Sequence, residues 1–156
     1  MSQNELTGGC QCGAVRFRAE SLGRPSICHC RMCQKAFGSF FGPLVTGHGV
    51  VWTRGQPKLF RSSNLANRGF CADCGTPLTY QADGHELELA IGALDHPEMA
   101  APTIQVNPAD RLPYFEGLAN LPMQQRSAER EPFYAAVISY QHPDHDTSDW
   151  HPGGRS

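Results

Sequence analysis

The sequence contains no long apolar run and no dense cluster of basic residues. No apolar stretch approaches the roughly 18 residues that a membrane-spanning helix needs, so we expect no membrane contact. The start of the chain lacks the basic and apolar regions of a signal peptide, which predicts a cytoplasmic protein. Because the net charge is -2 and Lys and Arg are scattered, nucleic acid is not an expected partner.

Charged residues are also few, at 18%, whereas glycine (16) and proline (12) are abundant among the 156 residues. Frequent glycine and proline exclude long helices and favour short elements joined by turns. The hydrophobic fraction of 40% is sufficient for one globular core. We therefore predict a single domain over residues 1–142, followed by a mobile tail over residues 143–156, where the sequence is polar.

Alternating apolar and polar residues predict a fold that is mainly β. Residues 14–19 have the period-two pattern of a half-buried strand. Residues 78–81 and 86–91 form a predicted hairpin around Asp83 and Gly84. Further predictions are strand pieces in 37–46, strands at 50–53, 58–61 and 103–106, a helical turn in 95–101, and either a helix or a strand in 127–140.

Seven cysteines form three closely spaced groups. In a reducing compartment such groups are more typical of metal sites than of disulfides, and an odd number does not complete a disulfide framework. Zinc binds thiolates tetrahedrally, so the chain must turn sharply between neighbouring ligands. Gly13 and Gly75 each follow a cysteine, where glycine tolerates the positive φ of such a turn. The groups are Cys10 with Cys12, Cys28 with Cys30 and Cys33, and Cys71 with Cys74.

The spacing divides the seven thiols between two zinc ions. Cys28, Cys30 and Cys33 lie within six residues of one another, so one ion can bind all three. The two remaining pairs together supply the four thiolates of a closed structural site, which would contribute folding free energy directly. The members of the closed site are Cys10, Cys12, Cys71 and Cys74.

The three-thiolate site is the predicted catalytic one. Structural zinc normally has four protein ligands, whereas catalytic zinc keeps one position for water or substrate. Three thiolates reduce the Lewis acidity of the ion, so the site suits a soft thiol ligand better than it suits hydroxide formation. A distant histidine would instead close the site, and His29, His48 and His85 are the candidates.

Three motifs surround the cysteines, namely Gly9-Cys10-Gln11-Cys12-Gly13, then Cys28-His29-Cys30-x-x-Cys33-Gln34-Lys35 with Gly38-Ser39, and Ser62-Ser63 followed by Arg68-x-Phe70-Cys71-x-x-Cys74-Gly75-Thr76. Together they resemble the glutathione-dependent formaldehyde-activating enzyme family over roughly residues 6–122. The domain of centromere protein V is similar. The resemblance implies stacked antiparallel sheets pinned by a structural zinc in the closed site, with the catalytic zinc in the open site.

The resemblance further implies a carbon–sulfur lyase reaction run in the synthetic direction, in which glutathione and formaldehyde form S-(hydroxymethyl)glutathione. The catalytic zinc would lower the pKa of the substrate thiol and so favour attack on the carbonyl. Glutathione carries carboxylates, which arginine binds well. Arg68 is the first candidate for that contact, although it could equally brace the zinc loop. The other candidate contacts are Gln34 and Lys35 in the pocket, with Arg31, Arg54 and Arg61 as further cations.

Two other functions are compatible with the sequence. In a binding or scaffold module, both zincs would be structural and the basic first half of the chain would meet an acidic partner. In a thiol sensor, the three-cysteine site would release zinc on oxidation. The sequence predicts neither the aldehyde or other electrophile nor the oligomeric state.

Overall fold

The computed structural model describes residues 5–151, and the fold is mainly β, as predicted. Ten strands in two sheets and two short α-helices make up the regular structure of this part of the chain. Within it, no helix is both long and apolar enough to cross a bilayer. The strands are β1 (Leu6–Gly9), β2 (Arg16–Ala19), β3 (Ser21–Cys28), β4 (Gly42–His48), β5 (Val51–Arg54), β6 (Lys58–Ser63), β7 (Ala66–Phe70), β8 (Pro77–Ala82), β9 (Glu88–Ala90) and β10 (Ile104–Val106), and the helices are α1 (Arg31–Phe37) and α2 (Glu131–Ala136).

The two sheets differ in size. The smaller has the strand order β1-β2-β5, and the larger has the order β10-β3-β4-β9-β8-β7-β6. Pairing between the described strands is antiparallel except that β10 runs parallel to β3, with Ile104 opposite Ser26. The predicted antiparallel sheets are thus present, with one parallel pair at this edge. The parallel pair is possible because the long stretch between β9 and β10 supplies the crossover that parallel strands need.

Most predicted elements are present. The hairpin is formed by β8 and β9, which pair antiparallel. The predicted turn in 95–101 contains a 3-10 helix at Pro97–Ala100. Residues 127–140 contain α2 rather than a strand, and Pro132 lies in its first turn, where its missing amide hydrogen costs nothing.

Strands β1, β3 and β7 and helix α1 were not predicted from the sequence pattern. Helix α1 carries Cys33, one of the three closely spaced cysteines. It begins after Cys30, whose thiol accepts a hydrogen bond from the amide of Cys33. It ends at Gly38, which has a φ of 56° and so adopts the left-handed conformation of a helix end. The strand predicted from residue 37 therefore begins only at Gly42.

Side chains from both sheets meet in one core. Phe17 of β2, Val45 of β4, Leu78 of β8 and Leu89 of β9 are all fully buried. Burial of each such side chain stabilises the fold by roughly 1.5–3 kcal/mol. The core thus joins β2 of the smaller sheet to the middle of the larger one.

A buried ion pair lies beside this core. Arg16 donates two hydrogen bonds to the carboxylate of Asp95, from Nη1 at 2.8 Å and from Nη2 at 2.5 Å. Thr7 Oγ1 donates a third at 2.6 Å. Burial opposes ionisation of the carboxyl, but the bonds from Arg16 and Thr7 outweigh it and lower the pKa of Asp95. The pair is therefore well satisfied, which is the condition for a buried charge to be tolerated.

The C-terminal part of the chain returns to the loop between β1 and β2. A mobile tail was predicted over 143–156; residues 143–150 lie against this loop, and residues 152–156 lie outside the described residues. Several hydrogen bonds hold this segment. The amide of His142 donates to Gln11 O (2.8 Å), and Trp150 Nε1 donates to Cys12 O (2.7 Å). Arg16 Nη2 on β2 donates to Asp146 Oδ1 (2.6 Å).

The Asp95→Asn substitution is expected to destabilise the fold by about 3 kcal/mol, because it leaves the buried Arg16 without its main partner. The folded-state pKa of Asp95 is lowered, so its stabilisation is complete above the unfolded-state value near 3.8 and is lost as the pH falls through the folded-state value. The variant should therefore lose less stability than the wild type on acidification below about pH 4. Urea unfolding at several pH values measures both effects.

Asp83→Asn is the matched control, because Asp83 pairs with Arg61 on the surface, where both side chains are about half exposed. Solvent screens such a pair, so we expect only a small change in stability. Equal losses from the two substitutions would show that the buried pair has no special role.

Candidate metal and substrate site

Two tight turns, one attached to each sheet, bring four cysteines together. Cys10 and Cys12 lie in the loop between β1 and β2, and Cys71 and Cys74 lie in the loop between β7 and β8. All four thiols are free, and their sulfur atoms lie within 4.8 Å of one another. The turns use the predicted glycines, since φ is 76° at residue 13 and 77° at residue 75. The cluster therefore links the smaller sheet to the larger one.

The geometry of this four-cysteine cluster fits a tetrahedral metal ion. Four sulfurs bonded to zinc at 2.3 Å are separated by about 3.8 Å. The observed separations are 3.6 Å between Cys10 and Cys12 and 3.8 Å between Cys12 and Cys71. Backbone and hydroxyl groups also approach the sulfurs, with the Val15 amide 3.2 Å from Cys10 and Thr76 Oγ1 3.1 Å from Cys74. The cluster could bind a metal ion and is compatible with zinc.

Three cysteines meet separately where β3 joins α1. Cys28 is the last residue of β3, Cys30 caps the helix, and Cys33 lies in its first turn. A strand end followed at once by a helix start places the three thiols on one side of the junction, with their sulfurs within 4.8 Å of one another. In residues 5–151 no further histidine, cysteine or carboxylate joins this group. It could bind a metal ion with one coordination position left for another ligand.

The candidate histidines lie elsewhere. His29 is fully buried, and its Nε2 lies 2.8 Å from Gln105 Oε1. Its ring packs edge-on against Phe115 at 4.7 Å. His48 pairs with Glu86 at the surface. The ring of His29 thus contacts Gln105 and Phe115. It supports the segment between Cys28 and Cys30 without acting as a ligand itself.

Two donors from distant parts of the chain point at the three-cysteine group. Asn107 Nδ2 donates to Cys28 Sγ at 3.1 Å, and Arg68 Nη2 donates to Cys33 Sγ at 3.3 Å. Arg68 is held by Ser62 Oγ, which accepts from its Nε at 3.0 Å, and by the ring of Tyr80, 4.9 Å from its guanidinium. The interpretation of Arg68 as a brace of the cysteine loop therefore matches its contacts.

Asn107 has an unusual backbone conformation for a residue with a side chain. Its φ is 53°, the one positive value for a non-glycine residue in the described chain. Such conformations persist where surrounding structure enforces them, often at functional sites. Here the conformation follows directly after β10 and turns the carboxamide toward Cys28.

Burial and hydrogen bonding act on the thiols in opposite directions. Burial raises the pKa of Cys10 and Cys12, and it raises that of Cys33 to about 12 despite the nearby charge of Arg68. At Cys28 burial has the same tendency, but the bonds from Asn107 and the Cys30 amide outweigh it and lower the pKa. Without a cation the buried thiols therefore resist joint ionisation, and a divalent metal is the group that would relieve this cost.

The three thiols open onto a cavity of about 450 Å³, lined by side chains from most strands of the larger sheet. This volume is within the range of small-molecule sites. Burial raises the pKa of Glu88 on its wall, where the charge of Arg24 acts in the opposite direction. The polar and charged lining includes Arg24, Ser62, Arg68, Tyr80, Glu88 and Asn107.

The other predicted substrate contacts do not line this cavity. Gln34 is buried, and its Nε2 donates to the carbonyl oxygens of His29 (2.7 Å) and Asp110 (3.0 Å), so it ties two loops together. Lys35 and Arg31 lie at a neighbouring depression of about 540 Å³. Arg54 and Arg61 bond to Thr147 and Asp83, respectively.

Several cavity residues were not singled out from the sequence. Arg24, Tyr80 and Glu88 lie on separate strands, and no local motif marks them. The signal at Asn107 was the Asn-Pro dipeptide, which is typical of turns. It could have indicated a special backbone conformation, but it could not have indicated a cysteine as the partner.

Comparisons with known proteins identify the family and the fold of the chain. The model of one family, described as "Glutathione-dependent formaldehyde-activating enzyme", matches residues 5–109. Three chains of solved structure match, among them a crystal structure of a Rhodobacter sphaeroides protein with 22% identity and a TM-score of 0.52. That match covers 65% of this chain and 100% of the other, and at this identity it shows the fold alone. No curated protein matches significantly.

Metal analysis of the purified chain is expected to give close to two zinc ions per molecule. The triple variant Cys28→Ser, Cys30→Ser, Cys33→Ser should keep one ion and its fold, because the cluster that joins the two sheets is intact. Cys71→Ser should instead abolish folding, since structural zinc contributes roughly 10–16 kcal/mol in small domains. Elemental analysis and circular dichroism measure both properties. A folded Cys71→Ser protein, or a triple variant that retains two ions, would contradict this division.

Proposed function

Because this chain belongs to the glutathione-dependent formaldehyde-activating enzyme family, we propose that it is a zinc-dependent carbon–sulfur lyase that joins glutathione to formaldehyde. The product is S-(hydroxymethyl)glutathione. The observation that carries the proposal is a three-cysteine group that opens onto a cavity with several charged and polar side chains instead of being closed by a fourth protein ligand. A related aldehyde or other electrophile is the alternative second substrate.

The two cysteine clusters have separate roles in this proposal. Cys10, Cys12, Cys71 and Cys74 would hold a structural zinc between the sheets, and Cys28, Cys30 and Cys33 would hold a catalytic zinc. The catalytic ion, when bound, supplies a position for the substrate thiol and lowers its pKa. The rest of the chemistry falls to the side chains of the cavity.

Arg68 and Asn107 act on the cysteine sulfurs themselves. The three cysteine thiolates that would hold a divalent ion exceed its charge, and a net negative charge is costly in a half-buried site. Hydrogen bonds from Arg68 to Cys33 and from Asn107 to Cys28 offset part of that charge. They therefore favour retention of the substrate as a thiolate, which is the nucleophilic form.

Glu88 is the residue that we assign to proton transfer. Its side chain lines the cavity, and burial raises its pKa, which makes the carboxylate a better proton acceptor. It accepts the proton of the substrate thiol, and the sulfur then attacks the carbonyl carbon. A carbon–sulfur bond forms while the carbonyl π pair moves to oxygen. Glu88 then returns the proton to that oxygen, which gives the hydroxymethyl group.

The mouth of the cavity offers a cation for the anionic substrate. Arg24 is exposed and lines the same cavity as the three thiols. Glutathione has two carboxylates, and arginine binds carboxylates through paired hydrogen bonds. Arg24 is therefore a candidate contact in addition to Arg68. Lys35 would contact the substrate only through the neighbouring depression. Gln34 would act only through the loop that it holds in place.

Two substitutions separate thiol binding from proton transfer. Cys30→Ser is expected to abolish saturable glutathione binding in calorimetry without loss of fold. Glu88→Gln should leave that binding largely intact and slow the enzyme-dependent exchange between free formaldehyde and its adduct by about 10²–10⁴-fold. Exchange NMR with ¹³C-formaldehyde measures this rate above the uncatalysed background.

Glu86→Gln is the control for the second substitution, because Glu86 is exposed and pairs with His48 away from the cavity. It should not change the exchange rate. Normal glutathione binding by Cys30→Ser would count heavily against the proposed thiol site. An unchanged rate in Glu88→Gln with normal binding would remove only the assigned proton transfer.

Asn107→Gly tests the hydrogen bond to Cys28. Glycine keeps the positive φ without strain, so only the carboxamide is lost. Removal of a hydrogen-bond partner of a metal ligand is expected to lower the zinc affinity of one of the two sites by about 10–100-fold. Competition with a chromophoric chelator resolves the two affinities. Asn120→Gly, at an exposed position, is the control and should leave both zinc affinities unchanged. Equal affinities in the wild type and the two variants would show that Asn107 does not tune the site.

A further inference from the structure

The region after the family match contains an unusual exposed stretch. Residues 121–140, here called the arm, lie between the 3-10 helix at Phe115–Asn120 and His142. Every arm residue is exposed except Tyr134, which is partly buried. Six of its large apolar side chains are between 54% and 92% exposed. They are Leu121, Met123, Phe133, Val137, Ile138 and Tyr140.

The arm is fixed at both ends but makes only local contacts along its length. Before it, Phe115 packs on His29; after it, the amide of His142 donates to Gln11 O at 2.8 Å. Its own contacts are short-range, such as Arg130 N to Ser127 O, with no hydrogen bond to either sheet in the described chain. The anchors therefore hold an apolar segment away from the core that would normally bury it.

The larger sheet exposes a second apolar surface. Strand β6 is its last strand, so one side of its backbone pairs with no neighbour in the described chain. Leu59 and Phe60 on this strand are each 61% exposed, on opposite faces of the sheet, and Leu65 in the following turn is 62% exposed. Apolar edge strands attract other chains unless something covers them. We call the open backbone side of β6, together with these three side chains, the β6 edge.

The area of the arm fits a second copy of the chain. The six side chains, each more than half exposed, together present several hundred Å² of apolar surface, which is of the order of the roughly 800 Å² that one partner contributes to a standard interface. Monomers rarely leave larger apolar patches uncovered. The charges also allow contact, since Lys58 on β6 and Glu129 on the arm have no ion-pair partner within residues 5–151.

We propose that the chain forms a symmetric homodimer in which the arm of each protomer packs on the β6 edge of the other. A twofold arrangement makes both contacts at once, because each protomer supplies one arm and one edge. The interface then covers both exposed apolar surfaces.

Sedimentation velocity of the full chain, whose mass is 17.1 kDa, tests the dimer. The wild type should sediment as a dimer at micromolar concentration. The arm variant Phe133→Ser, Ile138→Ser and the edge variant Leu59→Ser, Phe60→Ser should each raise the dimer dissociation constant at least tenfold. Met99→Ser, at an exposed position outside both surfaces, should leave it unchanged. Circular dichroism and zinc content establish that each variant is folded, and if a double variant is not, Ile138→Ser and Leu59→Ser replace it.

Cross-linking locates the contact. A carbodiimide joins an ammonium and a carboxylate into an amide with loss of water, so it should link Lys58 to Glu129 between ¹⁵N-labelled and unlabelled chains in a mixed sample. A monomeric wild type, or a dimer that survives either variant, overturns the proposal. Dissociation by the arm variant alone would place arm against arm and likewise overturn docking on the β6 edge.

Discussion

The meeting of four cysteine thiols from two separate turns, at separations that fit one tetrahedral metal ion, is the constraint on which the relative position of the two sheets depends. The two turns belong to different sheets, so an ion shared by these thiols would also fix one sheet against the other. Sulfur separations near 3.7 Å leave room for one tetrahedral ion and for little else. The hydrophobic core packs between the two sheets, so its geometry depends on their relative position. The walls of the cavity, which belong mostly to the larger sheet, depend on the same arrangement.

The second cluster obeys the same electrostatics with a different outcome. Its three thiols come from one continuous segment, so they hold no distant parts of the chain together. The stabilising groups instead come from outside, as hydrogen bonds from Arg68 on β7 and from Asn107 after β10. The four-cysteine cluster therefore links the two sheets. The three-cysteine group instead depends on the fold to position its hydrogen-bond donors. The second cluster has three thiols instead of four and lies beside a cavity, so it is the one with space for a further ligand.

The sequence was informative where the determinants were local. Cysteine spacing and the glycines after Cys12 and Cys74 predicted both clusters, and alternation predicted most strands. Helix α1 was missed because it has only seven residues between a cysteine group and an aromatic run, too few for a periodic signal. The contact of Asn107 with Cys28 spans 79 positions and depends on the parallel pairing of β10 with β3, which no local pattern encodes. Likewise, burial decided that Gln34 bonds to loop carbonyls instead of lining the cavity.

The covering of the β1–β2 loop by residues 141–150 has a consequence for biosynthesis. Chains are made from the N-terminus at roughly 5–20 residues per second, so Cys10 and Cys12 wait several seconds for Cys71 and Cys74. During that interval the cysteines at residues 28–33 are the nearest other thiols in the chain, so the four-cysteine cluster can be completed only after Cys74 has been made. The final segment, in which Trp150 bonds to Cys12 O, is made later still and can close over the turn only after the four cysteines are all present.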